Sequence, residues 1–483
     1  MSDTTMELTV PRGPRNAVLA YLSTTVVVLL LMMVLGLLMR LEQAGAGFLG
    51  TAIFYQVLTA HGAGMVGIAA IGASAVMWYF LRRHVELSTG VFVLNLALFL
   101  LGAVLILGGI FIGGFGGAWT FLYPLPRISM GLWSQAAAAS FLLGLLAIGV
   151  GFLLLYIDIA RAFITKYGGL GRSLGLPQLF GRAGDPPPPA VVASTMVLIV
   201  NTLAIVAGAT ILIMSLINLY QPGFEIDALW AKNLTYFFGH VFINATIYMA
   251  VIAVYEILPR YTGRPWKVSR VFLAGWAAST VMVLIVYPHH LLMDFAQPVS
   301  LHVLGQVISY TSGLPVLLVT AWGALTNVYR SGIRWDIASG FVFLGVFGWA
   351  AGVIPAIIDA TIAVNSVMHN TLWVPGHFHF YLLLGMLAMV FGFMAWLTRS
   401  QERGDGFLDR LGFWTFTGGS LALVAAFLCS GAASVPRRFA VHLPEWIGYA
   451  QFGSIAAALV TLGALLLTLR FVLGLRRVAA NVA

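Results

Sequence analysis

The sequence predicts an all-α, polytopic membrane protein with twelve transmembrane helices. Composition is the first reason. Of 483 residues, 60% are hydrophobic and only 8% charged, and mean hydropathy is +0.96. Soluble domains carry about 25% charged residues, so a water-soluble enzyme is excluded. The second reason is repetition. Apolar runs of about 20 residues, the length a ~30 Å hydrocarbon core requires, recur along the whole chain. The third is where the basic residues fall.

The runs place spans at 17–39, 50–81, 91–115, 133–160, 190–218, 234–258, 271–293, 301–328, 337–358, 374–397, 411–430 and 446–474. Span 1 follows a polar tail over 1–16 carrying Arg12 and Arg15. Its apolar run is longer than a signal-peptide core, and no small-residue cleavage site follows it. With that tail inside, twenty of the 25 Lys and Arg lie on inner segments. Only Arg40, Arg127, Lys232, Arg437 and Arg438 lie outside. This positive-inside asymmetry sets the orientation. It also accounts for the formal charge of +9 without invoking nucleic acid.

An inner Gly/Pro-rich loop is expected over 162–189, ending in a stiff run from Pro186 to Pro189. Otherwise 1–483 reads as one membrane domain. No internal repeat is visible, which argues against an inverted-repeat transporter. Cys429 is the single cysteine, so an internal disulfide, a CxxC site and a thiolate-rich metal centre are all excluded within this chain.

Ten histidines carry the functional signal. His61 lies near the outer start of span 2, His240 near that of span 6, and His377 and His379 near that of span 10. His289 and His290 lie near the outer end of span 7. Six imidazoles from four helices thus fall at one depth, in the outer third of the bilayer. Polar groups inside a membrane are costly and usually face a functional interior. Imidazole is a common iron and copper ligand. His377 and His379 project about 200° apart on a helix, so one helix can serve two centres. Pro288 interrupts the helical ladder before His289 and His290, which lets adjacent rings turn toward one ion, with His240 as a third nitrogen. Three imidazoles without thiolate or carboxylate suit copper or zinc better than calcium or magnesium.

His61 in TAHG, His240 in YFFGH, His289 and His290 in YPHH, and His377 and His379 in HNTLWVPGHFH resemble the catalytic subunit (subunit I) of heme-copper oxygen reductases. The last string and VPRRF (Val435 to Phe439) are most similar to the B-type branch and its related nitric oxide reductases. The resemblance implies two hemes. His61 and His379 would be axial ligands of a low-spin heme, and His377 the single axial ligand of a high-spin heme. His240, His289 and His290 would hold a second metal, copper favoured over iron. Arg437 and Arg438 would face heme propionates, a charge-assisted contact. His369 would lie near the propionates without ligating metal. His302 and His442 are expected as surface or outer-loop residues, and His84 as solvated on the inner side.

One position departs from the resemblance. A- and B-type oxygen reductases carry a tyrosine four residues after the helix-6 histidine, joined covalently to a ligand histidine, where it supplies an electron and a proton. That position is Asn244 here, which forms no tyrosyl radical. Tyr248 is about 12 Å further along the helix. The C-type placement, six residues before the paired histidines, is Val283. Tyr287 matches neither placement. In nitric oxide reductases of the superfamily the same position is a metal-binding glutamate, and Asn244 could instead donate its amide to a bound nitrogen oxide. Coupling two NO to nitrous oxide needs two electrons, whereas O–O cleavage takes four, so losing the tyrosine penalises oxygen chemistry more.

The expected function is therefore reduction of nitric oxide to nitrous oxide, with Asn244, His240, His289, His290 and His377 at the reacting centre. A terminal oxygen reductase is the alternative, and a heme-free transporter a remote one. Tyr255 in AVYEILP matches the tyrosine of a B-type proton path, with Glu256 beside it near the inner interface. Expected partners are membrane lipid, a subunit II-like protein with an outer cupredoxin or cytochrome domain, and cytochrome c or a similar donor, with no nucleic acid. The expected location is a bacterial or archaeal cytoplasmic membrane.

Overall fold

The computed structural model describes residues 12–399 and 404–480. Most of the expected inner tail (1–11) and Arg403 lie outside the described residues, as do the side chains of Arg476 and Arg477. Among the described residues there are twelve helices long and apolar enough to cross a membrane and no strand. The spans run Arg12–Ala46, Gly50–Leu81, Thr89–Ile112, Gln135–Tyr167, Pro189–Tyr220, Ala228–Thr262, Arg270–Leu291, Val299–Val328, Ile337–Asp359, Trp373–Leu397, Phe407–Ala432 and Pro444–Leu475. The all-α, twelve-span architecture is as the hydropathy pattern predicts.

The ends differ where helices outrun the apolar run. Span 1 is already helical at Arg12, the first described residue, rather than from residue 17, because helical geometry continues into the polar segment. Span 4 extends to Tyr167, so the inner loop starts later than expected and holds two one-turn helices, Leu170–Ser173 and Leu176–Leu179. Several span starts are capped by the local side chain that suits a helix N-terminus. Ser88, Ser134, Asp227 and Ser269 accept from the backbone N–H three residues on, and Asp336 forms a capping box with Ser339.

Neighbours in sequence pack as neighbours in space, spans 1 with 2, 3 with 4, 5 with 6, and 11 with 12, while span 12 returns to span 1. Spans 2, 6 and 10 end up central, with 83% of their apolar windows buried, against 22% for span 8. These three helices carry His61, His240, His377 and His379. The histidines therefore sit where a helix has protein on all sides, the only setting in which an intramembrane imidazole finds polar partners.

Three local irregularities aim them. Pro288 cannot donate to a helical ladder, and span 7 ends in a 3₁₀ turn, Tyr287–Leu291. Directly after His379, span 10 widens into a π-helix, Phe380–Leu387, a feature often found at functional sites. On the outer side, the two strings quoted above pair. Leu372 N–H donates to Val435 O at 2.9 Å, and Arg437 N–H to Asn370 O at 2.7 Å.

Candidate functional site

One cavity of about 460 Å³ is lined by all six span histidines together with Asn244, His369, Arg437 and Arg438. The residues that the sequence singled out on four helices and two loops thus share a single space. Within it the histidines fall into separate groups.

His61 and His379 face each other with ring centroids 6.4 Å apart and planes inclined by only 13°. Each ring is tethered through Nδ1 to a backbone carbonyl, His61 to Met32 O and His379 to Pro375 O, both at 2.7 Å. A carbonyl only accepts, so Nδ1 carries the hydrogen and each Nε2 keeps its lone pair. A metal bound at about 2.0–2.1 Å to one nitrogen of each ring needs centroids about 6.3 Å apart. The pair therefore fits one iron between them. Space is made for it by Gly36, where a Cβ would stand 2.7 Å from His61 Cε1.

His240, His289 and His290 form a cluster whose ligand atoms lie within 4.8 Å of one another. His240 Nδ1 is 2.9 Å from His290 Nε2, and the 289 and 290 ring centroids are 4.2 Å apart. Two of the outward nitrogens have partners: His289 Nδ1 lies 2.7 Å from Ser309 Oγ, and the Asn244 amide nitrogen 2.6 Å from His240 Nε2. Clustered neutral imidazoles with oriented outer nitrogens are what a copper or zinc site requires. Asn244 thus contacts the back of the His240 ring as well as lining the cavity.

His377 lies on the opposite side of span 10 from His379, as the two-residue spacing predicts. Its Nδ1 is buried without a hydrogen bond, 3.6 Å from Asp359 Oδ2. At the outer rim, burial and the charges of Arg437 and Arg438 push His369 down to about 4, and burial pulls Arg437 down to about 10. The partly buried Arg437 and the exposed Arg438 put two cations at the rim, which favours carboxylates such as those a heme carries.

Other residues that the sequence singled out have definite surroundings, and His442 and His84 depart from the expected exposure. Tyr287 does not turn toward the imidazoles; its hydroxyl donates to Asn233 Oδ1 at 3.0 Å. His442 is buried, with neither ring nitrogen bonded, and burial followed by Arg40 pushes it down to about 4. His302 Nε2 lies 3.1 Å from Asp294 O. His84 is not simply solvated, since its Nε2 is 3.5 Å from Glu256. Glu256 also faces Arg83 and Arg260 at 3.9 Å each. Tyr255 points elsewhere, its hydroxyl 2.6 Å from Thr320 Oγ1.

Three residues escaped the sequence reading. Arg40, counted there as an outer basic residue, is 4% exposed and lines the cavity. Its Nη1 donates to Gln43, while Nε and Nη2 have no partner among the described residues. A buried guanidinium left so exposes donors to whatever polar group fills the space. Trp119 wedges between spans 2 and 6: a Cβ at Gly62 would stand 2.8 Å from its Cδ1, and one at Gly239 3.1 Å from its Cη2. Tyr236 stacks on His290 with centroids 5.4 Å apart and planes at 16°. Its place four residues before His240, on the same helix face, was the available signal.

Residues 16–463 match the family described as cytochrome c and quinol oxidase polypeptide I. The chain is similar to "Cytochrome c oxidase polypeptide 1" of Halobacterium salinarum, 25% identical over 455 residues, covering 89% of this chain and 72% of that one. It is also similar to "Heme-copper oxidase subunit I+III" of Aeropyrum pernix, 24% identical over 458 residues, covering 91% of this chain and about half (54%) of the relative. A heme-copper terminal oxidase solved by cryo-electron microscopy as a dimer shares the fold. Its TM-score is 0.78 at 22% identity, covering 96% of this chain and 84% of that one.

Proposed function

Because the chain belongs to the family of cytochrome c and quinol oxidase polypeptide I, we propose that it is an integral membrane oxidoreductase subunit reducing nitric oxide to nitrous oxide. In this reading His61 and His379 hold a low-spin heme, His377 a high-spin heme, and His240, His289 and His290 a copper ion. When bound, these groups carry electrons and bind the gas. The protein orients them, keeps the site in low dielectric and delivers protons. The overall change is two NO, two electrons and two protons to nitrous oxide and water.

The observation that carries the choice of substrate is the 2.6 Å approach of the Asn244 amide to His240 Nε2. In the oxygen reductases that the motifs resemble, the residue at this position is a tyrosine bonded to a ligand ring. Asn244 occupies the position with a group that gives neither an electron nor an acidic proton. It holds the ring and nothing more. Two-electron coupling of NO tolerates this, whereas four-electron cleavage of O–O loses a donor. This supports reading the chain alongside the nitric oxide reductases related to the B-type branch.

The remaining roles follow from position. Arg437, Arg438 and His369 line the cavity rim and would meet heme propionates. Tyr255, hydrogen-bonded to Thr320, and Glu256, among Arg83, His84 and Arg260, would pass protons from the inner side. Electrons arrive from an outer subunit II-like partner with a cupredoxin or cytochrome domain, fed by cytochrome c or a similar donor. The tail of the chain then faces the cytoplasm of a bacterium or archaeon.

Oxygen reduction is the second reading. Tyr236, stacked on His290, favours it because it brings an oxidisable ring to the site from the other side. Paired NO-electrode and oxygen-electrode assays on one preparation, with the same artificial donor, separate the two. The NO reading expects turnover of NO well above that of oxygen. Rapid oxygen consumption with negligible NO turnover overturns it.

A further inference from the structure

A polar cluster at the outer ends of spans 6 and 7 takes no part in the reading above. Asn233 precedes His240 by seven residues, two helical turns outward on the same face. Its Oδ1 accepts from the Tyr287 hydroxyl and from Gln297 Nε2, both at 3.0 Å. Its Nδ2 donates to Leu229 O at 2.9 Å, which fixes the amide's direction. Gln297 is buried. One residue earlier, Lys232 Nζ donates to Asp294 Oδ2 at 2.6 Å. Span 6 thus grips both ends of the segment from Tyr287 to Gln297, and that segment contains His289 and His290.

The grip matters because the segment lacks the usual means of orientation. Span 7 has ended at Pro288, so its 3₁₀ turn is not held by a continuous helical ladder. From behind, span 8 approaches so closely that a Cβ at Gly305 would stand 2.9 Å from His289 N. That contact limits retreat, and Ser309 of the same span orients the His289 ring through Nδ1 at 2.7 Å, but neither sets the rotation of the turn that also carries His290. The hydroxyl of Tyr287, two residues before His289, does.

We propose that Asn233 is a positioning residue for the metal centre: by holding Tyr287 and Gln297 it sets the rotation of the turn that brings His289 and His290 to His240. The inference rests on the reading of those three histidines as metal ligands. Outer partners of ligands typically change metal affinity 10–100-fold. An indirect tether belongs at the lower end.

The test uses the purified, heme-loaded complex in detergent, challenged with a copper chelator, with metal content followed by mass spectrometry. Asn233→Leu and Tyr287→Phe are expected to lose the second metal about 10-fold faster than wild type, with heme content and thermal midpoint nearly unchanged. Asn233→Asp keeps the accepting oxygen but gives up the donation to Leu229 O, and is expected to lose metal more slowly than Asn233→Leu. The double variant Asn233→Leu/Tyr287→Phe is expected to be no worse than the worse single one, because one contact is removed twice. Retention of metal by both single variants overturns the proposal. So does parallel loss of metal, hemes and thermal midpoint, or loss of metal from Asn233→Asp as fast as from Asn233→Leu. A wild-type protein that binds no second metal at all overturns the metal-centre reading itself, and this inference with it.

Discussion

His61 and His379 present nearly parallel rings 6.4 Å apart, each turned by a hydrogen bond from Nδ1 to a main-chain carbonyl. Those carbonyls belong to different helices, Met32 on span 1 and Pro375 on span 10. The gap between the rings is consequently set by helix packing rather than by side-chain rotamers. Packed helices resist displacement of even one methylene, so the geometry is preformed.

The first prediction follows from that rigidity. His61→Ala should abolish the low-spin heme spectrum while high-spin heme and the second metal stay detectable, because only one centre loses an axial bond. Gly36→Ala should weaken the same signal without touching a ligand, since the new methyl would stand 2.7 Å from His61 Cε1. Overpacking of this kind costs about 1–3 kcal/mol. Reduced-minus-oxidised optical spectra and metal analysis check both. Loss of the second metal in His61→Ala, with the low-spin signal intact, would contradict the assignment.

Much of this site was legible in the sequence, for a physical reason. Charged and imidazole side chains are so unfavourable in a bilayer that each one present marks a function or an interface. His61, His240, His289, His290, His377 and His379 stand out for that reason, and helical periodicity alone separates 377 from 379. What could not be read depends on how loops cross helices. Trp119 reaches Gly62 and Gly239 from an outer loop, and no local pattern announces that path. Arg40 resembles an interfacial anchor until span 12 closes over it, where a Cβ at Gly453 would stand 2.9 Å from its Nη2. Tyr287 lies two residues from His289, yet turns outward because Asn233 Oδ1 accepts from its hydroxyl.

A pH-dependent stability prediction comes from the outer clamp. The hydrogen bond from Lys232 holds the Asp294 carboxyl below its ordinary value. A depressed folded value means that the unfolded chain binds the proton more readily, so the contribution is present above about pH 4 and is lost as pH falls through the folded value. The pair is partly solvated, which limits its worth to about 1 kcal/mol. Asp294→Asn should therefore lower the thermal midpoint at pH 6–7 slightly, with the difference closing as the solution is acidified below about pH 4. Calorimetry of both proteins across that range tests it. A difference that widens on acidification would be the wrong sign.

Tyr236 offers a discriminating prediction between substrates. Tyr236→Phe keeps the stacked ring on His290 and removes only the hydroxyl that makes the ring oxidisable. Under the NO reading, turnover of NO should be unaffected. Residual oxygen consumption, whatever its level, should fall further, because the phenol hydroxyl of the ring stacked on His290 is gone. Single-turnover measurements with each gas compare the two directly. An equal loss with both gases would mean that the hydroxyl orients His290 rather than serving electron supply.

The last prediction concerns Asn244 and the tautomer of His240. A neutral imidazole has one lone pair for a metal and one N–H to give away. His240 Nδ1 faces His290 Nε2 at 2.9 Å, so an ion in the cluster takes Nδ1 and leaves the hydrogen on Nε2. The neighbour of Nε2 must then accept. Half a turn of the Asn244 amide brings Oδ1 to the place now held by Nδ2, 2.6 Å away. Asparagine would then serve a metal-bearing ring through its carbonyl and act by holding the ring's tautomer. Asn244→Asp always presents an acceptor and should hold the second metal at least as tightly as wild type. Asn244→Leu presents none, leaves a buried N–H unpaired and should weaken retention by about 10-fold or more, with both hemes in place. Asn244→Tyr should not restore oxygen reduction, since the bond to a ligand ring also demands a placement that this helix was not packed to give. Metal content after chelator challenge ranks the series, and NO turnover should follow that ranking. If Asn244→Leu retained its metal while Asn244→Asp lost it, the nitrogen at Nε2 would be an acceptor rather than a donor, and the proposed role of Nδ1 as ligand would have to be abandoned.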